Sequence, residues 1–389
     1  MNIYYWCPFI DYVATVKAVL NSSIALNKFS KNKINPIIIN SVGEWDNYSN
    51  ILKNENIKEI KLTEKKNLYK NLPRNSYLKS RIAYLIISLT TFINLTKFLK
   101  QRSQKDIIIL HLVTSLPLLL INFFNFKCKF ILRISGHPKL NIFRRFLWKI
   151  SGKKLQQVFA PTIETKEKLI NQGIFEKNKL LVLRDPIINI SEIKNQISLI
   201  EENKDKKRTI ISIGRLTKQK NHYFLINSFS KILKDKKNLK LKILGEGELR
   251  QNLEKLIKKK GLSDNVELVG HVENIYDYLK NSFCFILTSK WEDPGFVIIE
   301  SAAAKSIVLS SDCESGPKEF IEENGKCGYL FNEGDEQSFI EKFNEMYEDI
   351  SNRPDIIINK KLNALKKTRL YSKYNHFRVL SKFLDNLKG

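Results

Sequence analysis

Cysteine is scarce in this 389-residue chain. Cys7, Cys128, Cys284, Cys313 and Cys327 are odd in number, and no two form a CxxC pair. That spacing excludes a disulfide-dense fold and a cysteine zinc site, and it reads as reduced thiols in a cytoplasmic protein. There is no GxxxxGK[ST], so P-loop hydrolysis of a nucleotide has no support. There is no DxD and no His/Cys cluster for a metal. Gly245-Glu-Gly lacks the third glycine of the dinucleotide fingerprint, which argues against NAD. The opening Met1-Asn-Ile-Tyr-Tyr-Trp has neither a basic stretch nor a small-residue cleavage site, so no signal peptide is expected. No apolar run is long and clean enough to span a bilayer. The best, Ile82 to Leu99, contains Ser88, Thr90, Thr91, Asn94, Thr96 and Lys97, whereas a span needs ~20 mostly apolar residues. It reads as a buried helix leading into a strand, and Ser115 to Phe124 reads as a second core helix.

Acidic residues are the other shortage: 40 Asp and Glu stand against 66 Lys and Arg, a formal charge of +26. Residues 1–200 hold 32 basic and 12 acidic side chains, or +20, leaving +6 for the remainder. Either the first half faces something anionic, or codon bias toward Lys, Asn and Ile raised the total. Bias accounts for the total better than for the asymmetry.

What is present is enough for a large core. The residues are 43% hydrophobic, which excludes disorder, and the length suggests two domains. Short β-branched runs alternate with helical patterns. The runs in the first half are Ile3 to Trp6, Pro36 to Ile39, Ile57 to Leu62, Ile107 to Leu112, Phe130 to Ile134, Gln157 to Ala160 and Leu180 to Leu183. Those in the second are Thr209 to Ile213, Leu239 to Leu244, Val266 to Val269, Cys284 to Leu287, Ile307 to Ser310 and Tyr329 to Phe331. Strands apolar throughout and separated by helices imply parallel sheets covered on both faces. Two such series predict an α/β protein of two doubly wound, Rossmann-like domains. The polar stretch Ile190 to Arg208 reads as the linker, giving domains 1–200 and 201–370. A helix over 371–389 follows, with Phe377, Leu380, Phe383 and Leu384 on one side, expected to pack back on the amino-terminal domain.

Two constellations carry chemistry. The strand Ile210 to Ile213 runs into Gly214-Arg-Leu-Thr-Lys-Gln-Lys-Asn-His, so Arg215 and Lys220 leave the sheet's carboxyl edge, where doubly wound folds bind ligands. A guanidinium can fork onto phosphate oxygens, and an ammonium adds a point charge. Leu287-Thr-Ser-Lys-Trp-Glu-Asp-Pro-Gly-Phe-Val-Ile-Ile-Glu places Glu292 before a helix and Glu300 inside it. The free N–H groups near Gly295, Phe296 and Val297 can bind anionic or hydroxylated groups. Two carboxylates beside them suit vicinal hydroxyls of a sugar or ribose.

The second half resembles the retaining glycosyltransferases of family 4, which have the GT-B architecture of two such domains facing across a cleft. The resemblance rests on Gly214-Arg215-Leu216 with Lys220, then Leu244-Gly-Glu-Gly-Glu, then Val269-Gly-His-Val. The Glu292 to Glu300 segment and Ser310-Ser-Asp-Cys-Glu-Ser-Gly-Pro-Lys-Glu-Phe complete it. These span about 209–335 in the family's order. The resemblance implies that Arg215 and Lys220 hold a donor diphosphate, Glu300 the ribose, Glu292 sugar hydroxyls, and the amides of Gly295, Phe296 and Val297 the sugar or phosphates. The turn Gly270-His271-Val272 would meet the base. The first half departs from the pattern: the loop Pro8 to Lys17 has no glycine. The family's histidine after an amino-domain strand matches His137 most closely, with His111 a lesser candidate. Glu292 and His137 are thus the candidate catalytic residues.

The expected function is transfer of a sugar from a nucleotide-diphosphate-sugar to a glycan or lipid-linked acceptor, with retention, in bacterial surface polysaccharide or lipopolysaccharide synthesis. No cofactor or metal is expected. A nucleotide-sugar 2-epimerase of the same fold is the alternative. A nucleic-acid binder fits poorly, because the cations are dispersed and no RNA or DNA module is recognisable. The +20 of residues 1–200 and stretches such as Lys65-Lys66, Lys70 to Arg81 and Phe143-Arg-Arg-Phe-Leu-Trp-Lys suggest an anionic membrane as partner. The expected location is cytoplasmic, peripheral on the inner face of the cytoplasmic membrane.

Overall fold

A computed structural model describes the chain except residues 12, 32, 64–67, 74–76, 137, 139, 202–207, 293 and 388–389, and the side chain at 77. It divides into two compact units, Met1–Ile187 with Lys373–Gly389, and Ile188–Ser372.

The first unit is built on seven parallel strands: β1 (Asn2–Trp6), β2 (Asn35–Asn40), β3 (Lys58–Lys61), β4 (Ile107–Leu110), β5 (Lys129–Arg133), β6 (Gln157–Ala160) and β7 (Leu180–Val182). Their spatial order is β3-β2-β1-β4-β5-β6-β7. Strand side chains alternate between two cores. Tyr4, Trp6, Ile37, Ile39, Ile108 and Leu110 face one layer, and Ile3, Tyr5, Ile38, Ile107 and Ile109 face the other. This is why the strands read as unbroken apolar runs. Helices Tyr77–Lys100, Ser115–Phe123 and Ile142–Gly152 supply the first layer through Leu95, Phe98, Leu120 and Trp148. Helices Ala14–Phe29 and Lys373–Asn386 supply the second, with Leu380 and Leu384 in its core. The terminal helix is fixed there by a buried chain of polar contacts. His376 Nδ1 donates to the Arg184 carbonyl at 2.8 Å, and its Nε2 meets Ser22 Oγ at 2.8 Å. Ser22 Oγ in turn meets Tyr5 Oη at 2.8 Å.

The second unit holds six parallel strands: β8 (Thr209–Ile213), β9 (Lys240–Leu244), β10 (Val266–Gly270), β11 (Cys284–Leu287), β12 (Val308–Ser311) and β13 (Tyr329–Phe331), ordered β10-β9-β8-β11-β12-β13. The order reverses between β8 and β11. That is the switch point where ligands sit at the carboxyl ends of such sheets. All five cysteines are buried and free.

Two expectations need correction. The polar stretch after Ile190 is not simply a linker: Ile190–Leu199 is a helix of the second unit, and the division falls before it, at Ile187. Lys280 Nζ donates to the Ile197 carbonyl at 3.0 Å and also to the Ile200 carbonyl, and Ile193 is buried. Its polar composition reflects a helix with one buried position. Second, Tyr77–Lys100 is helical but is not a buried helix. Only a third of its most apolar window is covered, because the sheet shields one side of it.

Candidate functional site at the carboxyl edge of the second sheet

The loops after β8 and β11, strands adjacent at the switch point, are joined by backbone and side-chain hydrogen bonds. Lys290 N donates to the Gln219 carbonyl at 2.9 Å, and Gln219 Nε2 to the Trp291 carbonyl at 2.9 Å. Thr288 Oγ1 donates to the Lys220 carbonyl at 3.1 Å. This clamp brings the Lys220 ammonium onto Glu292 Oε1, which also accepts from Ser289 Oγ at 2.6 Å. The pair is nearly enclosed, with side chains 13% and 7% exposed. Lys220 is therefore not a solvated loop cation. Arg215, five residues earlier, is exposed and forms no ion pair with a described residue.

The glycine-rich loop after β9 lies against this edge. Gly245 sits at φ +135°, and a Cβ there would stand 2.1 Å from the Gly214 carbonyl oxygen. Gly214 N donates to the Leu244 carbonyl at 2.9 Å, Leu216 N to that of Glu246 at 2.9 Å, and Gly245 N to that of Gly270 at 2.7 Å. The Gly270-His271-Val272 turn is thereby tied to the loop after β8, with His271 exposed and Val272 half-buried. His222, which begins the helix His222–Asp235, is buried. Burial first, and the Lys220 charge second, push its pKa down to about 3. Its Nδ1 and Thr217 Oγ1 are buried without hydrogen-bond partners.

Gly295 caps the helix Phe296–Ala303, whose first turn leaves Phe296 and Val297 half-buried and Glu300 buried. This end is held from the next loop. Glu292 N donates to the Glu314 carbonyl at 3.2 Å, and Gly316, at φ +118°, passes so near Pro294 that a Cβ would lie 2.4 Å from its carbonyl oxygen. Tyr276 stands near Glu300. Burial, then the charges of Glu300 and Glu192, hold its phenol above the usual range.

Gly214, Arg215, Lys220, His271, Val272, Glu292, Gly295, Phe296, Val297 and Glu300 thus all fall on the carboxyl-edge loops of one sheet, or on the helix that follows one of them. His137 lies outside the described residues. His111 follows β4 in the first unit and is buried; burial first, then Arg133 and His376, hold its pKa well below the usual histidine value. Sequence reasoning missed Ser289 and Tyr276. Ser289 lies inside the quoted Leu287 to Glu300 stretch, but nothing in the spacing said that it bonds Glu292. Tyr276 belongs to no motif. Among the described residues no group of three or more His, Cys, Asp or Glu is placed to hold a metal.

Residues 194–363 match the family model described as glycosyl transferases group 1. An uncharacterized glycosyltransferase of Methanocaldococcus jannaschii is 34% identical over 241 residues, 56% of this chain and 58% of that protein. The Campylobacter jejuni N-acetylgalactosamine-N,N'-diacetylbacillosaminyl-diphospho-undecaprenol 4-alpha-N-acetylgalactosaminyltransferase is 37% identical over 144 residues, 37% of this chain and 38% of that one. The matches thus span roughly two fifths to three fifths of these relatives' lengths. In fold, a solved Anabaena protein in complex with UDP superposes with a TM-score of 0.73 at 14% identity, over 99% of this chain and 100% of that one. The chain has the GT-B fold, and its residues 194–363, somewhat less than half of its length, are similar to the glycosyl transferases group 1 family.

Proposed function

We propose that this protein transfers a sugar from a nucleotide-diphosphate-sugar to a hydroxyl of a glycan or lipid-linked acceptor, with retention at the anomeric carbon, in bacterial surface polysaccharide or lipopolysaccharide assembly. The observation that carries it is the Lys220–Glu292–Ser289 cluster at the switch point, one turn of chain before the Gly295 helix start and Glu300. The relative that acts on a diphospho-undecaprenol-linked sugar supports the acceptor class, and the UDP-bound neighbour supports the donor class.

In this reading the Arg215 guanidinium and the Lys220 ammonium take the diphosphate oxygens. They stabilise the charge that builds as the anomeric C–O bond breaks, which is where preorganised cations act most strongly, and no metal is needed. Glu292 keeps Lys220 aligned through one oxygen, and its other oxygen accepts from a sugar hydroxyl. The N–H groups at Gly295 to Val297 face sugar or phosphate oxygens, Glu300 accepts from the ribose, and the His271-Val272 turn meets the base. The acceptor oxygen forms its bond on the face the diphosphate leaves, and its proton passes to the departing phosphate oxygen, which accounts for retention. No carboxylate is invoked as a covalent nucleophile.

The test is a calorimetric and thermal-shift screen of nucleotide-sugars, followed by NMR of the anomeric centre in the product. Stabilisation by one nucleotide class and a product with the donor's anomeric configuration are expected. No binding to any nucleotide-sugar, an inverted product, or interconversion of donor alone without acceptor would overturn it.

A further inference from the structure

The helix Tyr77–Lys100 carries two apolar stripes where a surface helix of a globular domain has one. Ala83, Ile87, Thr91, Leu95 and Phe98 are buried against the first unit. On the opposite side, Leu78, Ile82, Leu85, Leu89 and Ile93 recur at intervals of three or four residues, and Leu78, Leu85 and Leu89 are 70%, 59% and 69% exposed. The helix Ile142–Gly152 repeats the arrangement. Leu147 and Trp148 are buried, while Ile142 and Phe146 are 88% and 64% exposed and Phe143 is exposed beside them. Both helices lie on the same face of the sheet, with Ser115–Phe123 in contact with each, and that helix ends on the exposed Phe123. Exposed apolar stripes on two helices of one sheet face are uncommon without a partner.

The charges name the partner. Residues 77–100 contain Lys79, Arg81, Lys97 and Lys100, residues 142–152 contain Arg144, Arg145 and Lys149, and neither helix has a single Asp or Glu. Leucine, isoleucine and phenylalanine interleaved with lysine and arginine alone suit an interface of acyl chains beneath anionic headgroups. A second copy meeting this face with its own would set cations against cations, so a symmetric pair through it fits poorly. Contrary to the expectation from its polar residues, the helix Tyr77–Lys100 is long and apolar enough to cross a membrane by length and composition. Crossing would strip its buried stripe from the sheet, so the fold admits only a helix lying in the membrane plane.

We propose that Tyr77–Lys100 and Ile142–Gly152 together form a membrane seat, with the exposed stripe of each inserted into an anionic leaflet and their cations at the headgroups. Binding therefore has two components: salt weakens the electrostatic one and leaves the apolar one. This does not depend on the proposed sugar transfer.

The full chain is floated with vesicles of phosphatidylcholine alone or mixed with phosphatidylglycerol, in low and high salt. Wild type is expected on the anionic vesicles, reduced but detectable there in high salt. The double substitutions Leu85→Glu with Leu89→Glu, and Phe143→Glu with Phe146→Glu, replace only exposed side chains, and each is expected to lower partitioning roughly tenfold or more. Thermal melts establish that the variants fold, and nucleotide-sugar calorimetry should be the same as wild type, which separates this surface from the donor site. Unchanged partitioning of both variants overturns the proposal. So does a dimer that the glutamates dissociate in a protein that does not float.

Discussion

Lys220 and Glu292 are 72 residues apart in the chain, yet the ammonium of one is hydrogen-bonded to the carboxylate of the other across the ends of β8 and β11. The two groups were legible separately, as a phosphate cation and a sugar-binding acid. Their contact couples them: the Lys220 ammonium is held by Glu292, which is in turn held by Ser289, so in the proposed reading a donor phosphate would meet a cation already oriented.

Removing either partner leaves the other largely desolvated. Lys220→Met or Glu292→Gln alone should each destabilise the second unit, by up to about 3–5 kcal/mol, and the double variant by less than the sum of the two. Thermal or denaturant unfolding of the four proteins measures the coupling. Additive losses would mean that the pair contributes no interaction energy to the fold.

Arg215→Ala tests the donor reading without disturbing that pair, since Arg215 is exposed. Loss of one charge-assisted contact to a diphosphate corresponds to about 1.5–3 kcal/mol, or roughly 10- to 100-fold weaker nucleoside diphosphate binding. Calorimetry should show this with an unchanged melting temperature. Equal affinity would remove Arg215 from the donor site.

Glu300→Gln keeps the shape of a buried side chain and removes its charge. A folded protein with impaired transfer is expected, and Tyr276→Phe, which alters the neighbour of Glu300, should lower transfer to a smaller degree. Unfolding of Glu300→Gln would instead assign Glu300 to the stability of the Phe296–Ala303 helix.

The strands were legible because a sheet covered on both faces requires uninterrupted apolar runs, and each expected run is a strand with ends shifted by a few residues. The loop residues at their carboxyl ends followed from that. What stayed hidden depends on packing between segments distant in sequence. Ser289 gains meaning only once Glu292 folds over it, and Tyr276 only from its nearness to Glu300. The exposed stripe of Tyr77–Lys100 could not be told from a core stripe, because composition does not record which side of a helix the sheet covers. The polar helix Ile190–Leu199 looked like a linker because a single buried position, Ile193, carries little periodic signal.

The glycine at 245 is required by close backbone approach. Alanine would add an overlap with the Gly214 carbonyl and a left-side φ that L-residues avoid. Strain and overlap of this kind cost about 2–4 kcal/mol, a fall in melting temperature of roughly 5–15 °C for the second unit. Scanning calorimetry of Gly245→Ala should show it together with weaker donor binding. An unchanged melt would mean that the β8 and β9 loops separate at little cost.

The buried His376 gives the first unit a pH dependence of definite sign. Burial, the largest influence, lowers its pKa to about 4, against 6.5 for an ordinary histidine, although the Arg184 carbonyl favours the charged form. Above pH 6.5 the imidazole is neutral folded or unfolded, and its stabilising contacts to Ser22 and Arg184 are intact. Between 6.5 and 4 the unfolded chain takes up the proton first, so stability falls as pH falls, and the loss is complete near 4. A shift of this size corresponds to about 3 kcal/mol. Buried Glu44, whose pKa burial raises to about 7, works in the opposite direction: its contribution is lost as pH rises from 4.5 toward 7. Buried His111, also held below the usual histidine value by burial first and then Arg133 and His376, acts in the same direction as His376, so total stability in this window mixes several groups and the informative quantity is a difference. His376→Gln should be less stable than wild type at pH 7.5, and the gap should narrow by about 2–3 kcal/mol as pH falls to 4.5. Urea unfolding of both proteins across that range measures it. A gap that is constant with pH would show that His376 keeps an ordinary pKa in the folded protein.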